Sequence, residues 1–374
     1  MMSKRLLSIC AYGNSLVLVG LAIYFFFAPL AIMVLDIRDP ALQTGQIPAF
    51  AFRWHRHMSE RFETWARDRV TSQQASTLSI SDISGTEWPV FSAVYYLWAT
   101  EALQASWEQD PSRSTLAPNV YAAGAIEAAV ALVADPNHAT WVKKHWGEDY
   151  LHQENVFYRM LLIGGMTSYQ KLTEDLLYQD LLVDQVSSLS QDLDASPHGL
   201  LDDYPNQCYP IDILPAIAVI QRSQLLPQDT QARFVARSYR GFAGARLDPD
   251  TGLPAYIADS RSGFGYGPAR GVGIAFMVIW APELWPSVAQ DWYSRFETHF
   301  WQEGPILTGV REFSKQGAWP DWLIDVDAGP VVDGYGTAAS AFGIGAARVN
   351  GRLDHAYPLS VEALVATWPL PDGT

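Results

Sequence analysis

A chain of 374 residues with 49% hydrophobic and 17% charged residues can bury a large core and is too apolar for an ordinary disordered protein. A formal net charge of −15 leaves nothing to neutralise a phosphate backbone, which excludes nucleic acid as a partner and also a polybasic mode of membrane binding. The two cysteines, Cys10 and Cys208, are too few for a disulfide framework and lie too far apart in the chain's organisation to be read as a pair.

The first element is a membrane segment. Leu16 to Leu35 is an apolar, charge-free run of 20 residues, which as a helix spans roughly 30 Å, the thickness of a hydrocarbon core. Pro29 is tolerated near its end with a kink. Lys4 and Arg5 precede the run, and Asp36, Arg38 and Asp39 follow it without net positive charge. The positive-inside bias therefore predicts a single-pass protein with a cytoplasmic N-terminus and the remainder on the extracytoplasmic side. A cleaved signal peptide is the competing reading, but its apolar region is shorter, and the nearest A-x-A pattern, Ala49-Phe50-Ala51, falls well beyond the run.

Residues 37–80 read as a tether and a peripheral helix, followed by one domain over 81–374. From Glu87 onward, helices apolar on all sides alternate with amphipathic ones. The apolar members are 87–103, 153–172, 208–221, 269–281 and 329–349; the polar partners lie near 117–134, 174–191, 228–242, 284–300 and 355–367. A helix apolar all round is an inner one, and a one-sided helix an outer one. Five to six such pairs predict an all-α protein built as an α/α toroid, with a plain helical bundle as the alternative. Pro89, Pro210, Pro268 and Pro330 are read at the first positions of inner helices.

In a toroid the loops entering the inner helices share one rim. That rule gathers Glu87 and Trp88 before the first inner helix, and Asp202, Asp203, Cys208 and Tyr209 before the third. It adds Tyr266 and Arg270 before the fourth, and Asp325 and Asp327 before the fifth, with Asp333 and Tyr335 just inside. Several acids at one aromatic mouth suit general acid–base chemistry, because burial and mutual repulsion separate their pKa values. Taken singly, such carboxylates are helix caps. Cys208 at a helix start is placed for a dipole-stabilised thiolate, or else is a small buried hydrophobe, with His198 as a candidate proton carrier beside it. The glycine-rich stretches 263–273 and 334–345 lack the strand and lysine of a nucleotide loop. No His, Cys or carboxylate spacing points to a metal, so no cofactor is expected.

Two stretches, Glu154–Asp175 and Ser196–Cys208, resemble the linalool dehydratase-isomerase family: the first its cavity helix with a following tyrosine-and-Thr/Asp turn, the second its cysteine-bearing loop after an S-P-x-x-G turn. Leu247–Tyr256 also fits, so the resemblance covers the middle third to half of the chain. It implies an α/α barrel that adds water to, or removes it from, a polyprenoid-like alcohol or alkene. Cys208 matches one family cysteine; the second falls at Leu201 or Asp202, and the cavity-helix histidine at Leu161. The resulting expectation is a membrane-anchored lyase or isomerase acting on a small apolar alcohol. Glu87, Asp202, Asp203, Cys208, Asp325 and Asp327 are its catalytic candidates, and Trp88, Phe157, Tyr209, Tyr266, Arg270 and Tyr335 line the substrate, Arg270 taking any anionic group. The alternatives are a glycoside hydrolase or polysaccharide lyase on an oligosaccharide, with Glu87 as acid opposite an aspartate base, and a non-catalytic membrane scaffold.

Overall fold

The computed structural model describes residues 4–305 and 307–370, with side chains from residue 12 onward; the Lys4, Arg5 and Cys10 side chains lie outside that range. The protein is mostly helical, 66% helix and 7% strand. Helix α1 (Lys4–Ala22) runs through a π-turn, Ile23–Phe27, into α2 (Ala28–Ile37). The stretch Tyr12–Ile37 is long and apolar enough to cross a membrane and is only 11% buried. Its buried residues, Pro29, Met33 and Asp36, fall on one helical face, which packs against the last helix of the chain.

After a short α3 (Ala41–Thr44) come α4 (Ala49–Ser72), α5 (Ile83–Gln109), α6 (Pro118–Tyr121), α7 (Ala123–Val133) and α8 (Thr140–Trp146). They are followed by α9 (Val156–Thr173), α10 (Gln179–Ala195), α11 (Pro210–Ser223) and α12 (Gln228–Ser238). The last four are α13 (Gly271–Leu284), α14 (Pro286–Phe300), α15 (Thr337–Val349) and α16 (Leu353–Thr367). Helix α5 packs on α9, α9 on α11, α11 on α13 and α13 on α15. Tyr95 of α5 meets Phe342 of α15 at 6.1 Å between ring centres and Phe276 of α13 at 6.2 Å. Helices α7, α10, α12, α14 and α16 lie against α5, α9, α11, α13 and α15 respectively.

The division of labour follows from composition. Helix α13 is apolar except for Glu283 near its end and buries eleven of its fourteen residues. The polar α12 buries only Phe234, Val235 and Ser238, one stripe of an amphipathic helix. Helix α5 starts on Asp82, whose side chain accepts from the Gly85 amide at 3.0 Å as an N-cap. One core cluster joins all the principal helices from α5 onward, and a satellite of Leu42, Phe50 and Leu364 joins the α3–α4 region to α16.

Three of the prolines that interrupt helices share one solution, whereas among the described residues no side-chain donor compensates Pro215 or Pro358 in the same way. A helical proline leaves the carbonyl four residues earlier without its amide donor. The carbonyl freed by Pro29, on Phe25, accepts from Trp368 Nε1 at 2.8 Å. Pro89 frees Gly85, which accepts from Arg69 Nη1 at 3.5 Å, and Pro282 frees Val278, which accepts from Asn350 Nδ2 at 2.9 Å. Only Pro210 occupies a helix start as expected: Pro89 sits inside α5, and Pro268 precedes α13 by three residues.

The segment expected to begin the last inner helix is β-structure. Strands β1 (Ile257–Ala258) and β2 (Gly265–Tyr266) pair antiparallel, as do β3 (Trp301–Glu303) and β4 (Thr308–Val310). Strands β5 (Trp322–Asp325), β6 (Gly329–Val332) and β7 (Tyr335–Gly336) form a three-stranded antiparallel sheet. Pro330 is therefore in a strand, and Asp333-Gly334 makes the β6–β7 turn with φ of 53° and 79°. Two successive left-handed residues are what a type I′ hairpin requires, and Asp-Gly supplies them at low cost.

Candidate active site

Four acids from separate elements meet where the loops before α11, β5–β6 and the start of α5 come together. Glu87 stands in the second turn of α5 and is 8% exposed. Its Oε2 accepts from Tyr204 Oη at 2.7 Å. Burial raises its pKa to about 6 against the opposing Tyr204 bond, with Asp327 adding to the rise. Asp203, 1% exposed, accepts from the Tyr209 amide at 2.7 Å through Oδ2, while its buried Oδ1 has no partner. Burial lifts Asp203 well above the ordinary carboxylate range, and the charge of Asp212 pushes it further. Asp212, in the first turn of α11, is raised likewise by burial, then by Asp327 and Glu87. Asp327, beyond β5, accepts from Tyr256 Oη at 2.7 Å.

The aromatic lining is continuous with these acids. Tyr209 and Tyr256 stack edge to face at 5.7 Å. Tyr95, which the charge of Asp212 reaches, has a buried hydroxyl with no partner. Phe91 contacts Phe157 at 6.1 Å, and Phe157 contacts Trp141 at 6.3 Å. Unsatisfied donors and acceptors inside a core are costly unless something else occupies the space. Asp203 Oδ1 and Tyr95 Oη are the buried polar atoms of this group without a hydrogen-bond partner, although the Phe157 backbone also stabilises the Asp203 carboxylate.

Beside this group lies a second, cation-neutralised one. Glu312 is fully buried and bonds Arg270 Nε at 2.6 Å; Arg270 Nη2 reaches Asp325 at 3.1 Å. The guanidinium also lies over the Tyr256 ring at 4.6 Å. Burial still lifts Glu312 to about 7 despite Arg270. Asp325 is pushed up by burial, but bonds from the Ala328 amide and Arg270 outweigh this and hold it low. The expectation that Arg270 binds an anionic substrate group is corrected, because two carboxylates of the chain already occupy it.

Other expected residues fall outside the acid group. Asp202 has both oxygens engaged, Oδ1 by Ser260 Oγ at 2.6 Å and Oδ2 by the Asn206 amide at 2.8 Å. Its amide donates to Glu154 at 2.6 Å, so it ties the 200–208 loop to the start of α9 rather than facing a substrate. Cys208 is fully buried, in a bridge with Ala258 ahead of α11. Burial and the carboxylates of Asp203, Asp202 and Asp212 hold its thiol protonated, which overturns the thiolate reading. His198 uses its two ring nitrogens on Arg246 and the Arg261 carbonyl. Tyr335 lies on β7, its hydroxyl donating to the Leu307 carbonyl at 3.1 Å. Trp88 and Tyr266 are 46% and 50% exposed, and Tyr266 adjoins Tyr209.

Asp212 and Tyr95 were missed from sequence. Asp212 had a signal: it is the one acid in α11 and sits in its first turn, within the apolar stretch that runs to Ile220. Among the described residues no group of three or more His, Cys, Asp or Glu is set to hold a metal ion. Burial raises Asp203 and Asp212 well above the ordinary carboxylate range and Glu87 to about 6, so the site gathers carboxyls that hold their protons more tightly than free acids do. No protein-family model matches the chain, and no curated protein matches its sequence.

Proposed function

We propose that this chain is a membrane-anchored α/α-toroid enzyme performing acid–base hydration or dehydration of a small apolar alcohol. The observation that carries the reaction is the meeting of Glu87, Asp203, Asp212 and, at the exposed edge, Asp327 beside aromatic side chains, with two buried polar atoms there lacking a partner. The anchor reading is supported by the length and exposure of Tyr12–Ile37. The toroid is supported by the serial packing of α5, α9, α11, α13 and α15 and by the Tyr95–Phe342 contact between its ends. The resemblance to the linalool dehydratase-isomerase family implies the same chemistry.

In the dehydrating direction a protonated aspartate, Asp203 or Asp212, gives its proton to the substrate hydroxyl as the C–O bond breaks and water leaves. Ionised Glu87 takes a proton from the neighbouring carbon, and that C–H pair becomes the new C=C bond. One proton leaves the protein and one returns, so the net reaction is alcohol to alkene plus water. Asp327 orients Tyr256, and the tyrosines and Phe157 bind the apolar body.

The test is gas-chromatographic assay of the purified full chain with allylic and tertiary terpenols, alongside Glu87→Gln, Asp203→Asn and Asp212→Asn. Alkene and water from the wild type, lost in the variants, is the expected outcome. Turnover that persists in all three variants would refute the assignment. The carbohydrate reading keeps one supporting observation, the exposed Trp88 ring next to a glutamic acid of raised pKa. Release of reducing sugar from an oligosaccharide by the same preparation would replace the alcohol reading.

A further inference from the structure

An apolar space lies well away from the acids. It is a cleft of about 720 Å³ between α4 and α16, floored by α5 and α15. Its walls are apolar, with Phe50 and Trp54 from α4, Leu103 from α5, Ile344 from α15 and Leu364 from α16. From Glu87 to Ala102 at this cleft is roughly 22 Å along α5. An aromatic layer stands between the two ends, with Tyr95 against Phe342 and Trp98 against Trp280 at 5.0 Å.

Its charge is unlike that of the chain. The protein has 40 Asp and Glu against 25 Lys and Arg, yet no acid lines this cleft, and its ionisable groups are His55, His57, Arg61 and Arg348. Neither arginine makes an ion pair among the described residues. Arg348 gives Nε and Nη2 to the Gly45 carbonyl at 3.2 and 2.7 Å, and burial without a counter-charge lowers its pKa. Arg61 is exposed at the rim. Two cations in an apolar cleft of an acidic protein call for an amphiphile with an anionic head.

Its position indicates the source. Thr367 and Pro369 form one edge and flank Trp368, whose indole holds the Phe25 carbonyl of the apolar N-terminal helix. Thr367 also borders an apolar hollow shared with Leu18, Leu21 and Phe25. Phe25 lies about 18 Å along the helix from Ile37, so the rim runs into the flank of the segment that would sit in lipid.

We propose that this cleft is a lipid site that takes one acyl chain of an anionic phospholipid from the bilayer, with its phosphate held by Arg61 and Arg348. The inference rests on the anchor part of the proposed function and is independent of the reaction. The full chain, reconstituted in nanodiscs of mixed phosphatidylglycerol and phosphatidylcholine, would be released for native mass spectrometry. One retained phosphatidylglycerol per chain is expected. Arg61→Gln and Arg348→Gln should each lower the preference over phosphatidylcholine about tenfold. Ala102→Trp and Ala363→Trp, which fill the cleft, should abolish retention while circular dichroism stays unchanged.

An empty wild-type chain, a bound free fatty acid, or variants that retain lipid as well as the wild type would each overturn the proposal. N-terminal sequencing of membrane-extracted protein reads the anchor separately. A mature chain that begins beyond residue 37 removes the anchor and this site with it, whereas an anchored chain with an empty cleft removes the lipid site alone.

Discussion

Two neighbouring sets of buried carboxylates solve the same problem in opposite ways. Glu312 is buried completely and is given Arg270 at 2.6 Å, as Arg159, also fully buried, is given Asp192 at 2.8 Å. Glu87, Asp203 and Asp212 have no cation; their partners are a phenol, an amide and one another. Taking a carboxylate out of water costs several kcal/mol unless it is paired or neutralised. The first set is neutralised by guanidinium, whereas in the second, burial without a cation makes each carboxyl hold its proton more tightly. A proton can be passed to a substrate and a guanidinium charge cannot, so under the proposed function the comparison separates acids that hold the fold from acids that would react.

The sharpest way to break that distinction is to replace acid by amide. Asp212→Asn or Asp203→Asn keeps shape and removes the exchangeable proton. Turnover should fall about 10²- to 10⁴-fold with little change in thermal midpoint, because burial favours the neutral form of the native side chain. A large loss of stability with activity kept would put these residues in the structural set. The reverse is expected of Arg270→Ala, which strands Glu312 and should cost about 3–5 kcal/mol in urea unfolding. The double variant Arg270→Met/Glu312→Leu should recover most of that loss, since an uncharged pair of similar volume needs no neutralisation.

Glu87 sharpens the comparison through pH. Its folded pKa of about 6 is above the ordinary 4.5, so the fold favours the protonated form. The stability it contributes is fully present below pH 4.5 and is lost as pH rises toward 6, amounting to about 2 kcal/mol. Glu87→Gln should therefore flatten the unfolding free energy over that interval and leave it unchanged below. A wild-type profile that rises between pH 4.5 and 6 relative to the variant would mean that Glu87 is ionised and stabilised like the paired acids.

How much of this was legible in sequence depended on whether a signal was local. Helices α9, α11 and α13 announced themselves as inner elements because they are apolar on every face, and α12 as an outer one by its single stripe. The β6–β7 hairpin was read as helix although Val331-Val332-Asp333-Gly334-Tyr335 carries a strong turn signal; the small residues of α15 extended the helical pattern backwards over it. Glu87, Asp203 and Asp327 were found by the rule that loops before inner helices converge. Asp202 obeys the same rule and is nonetheless a loop clamp, because adjacent residues of a turn point opposite ways. Nothing local distinguishes Arg270 with partners from Arg270 without them: Glu312 is 42 residues away in the chain.

Cys208 gives the smallest expected effect and tests the environment rather than any residue's role. A thiol at a helix start is reactive only if the site stabilises its anion. Here the helix begins two residues later, the sulfur is buried, and the nearest charges are carboxylates, all of which oppose ionisation. Cys208→Ala should leave turnover within about twofold and cost about 1–2 kcal/mol for the small cavity it opens. The native thiol should resist iodoacetamide until the chain unfolds. Rapid alkylation of the folded protein at neutral pH would mean that the carboxylates around Cys208 are not assembled as described.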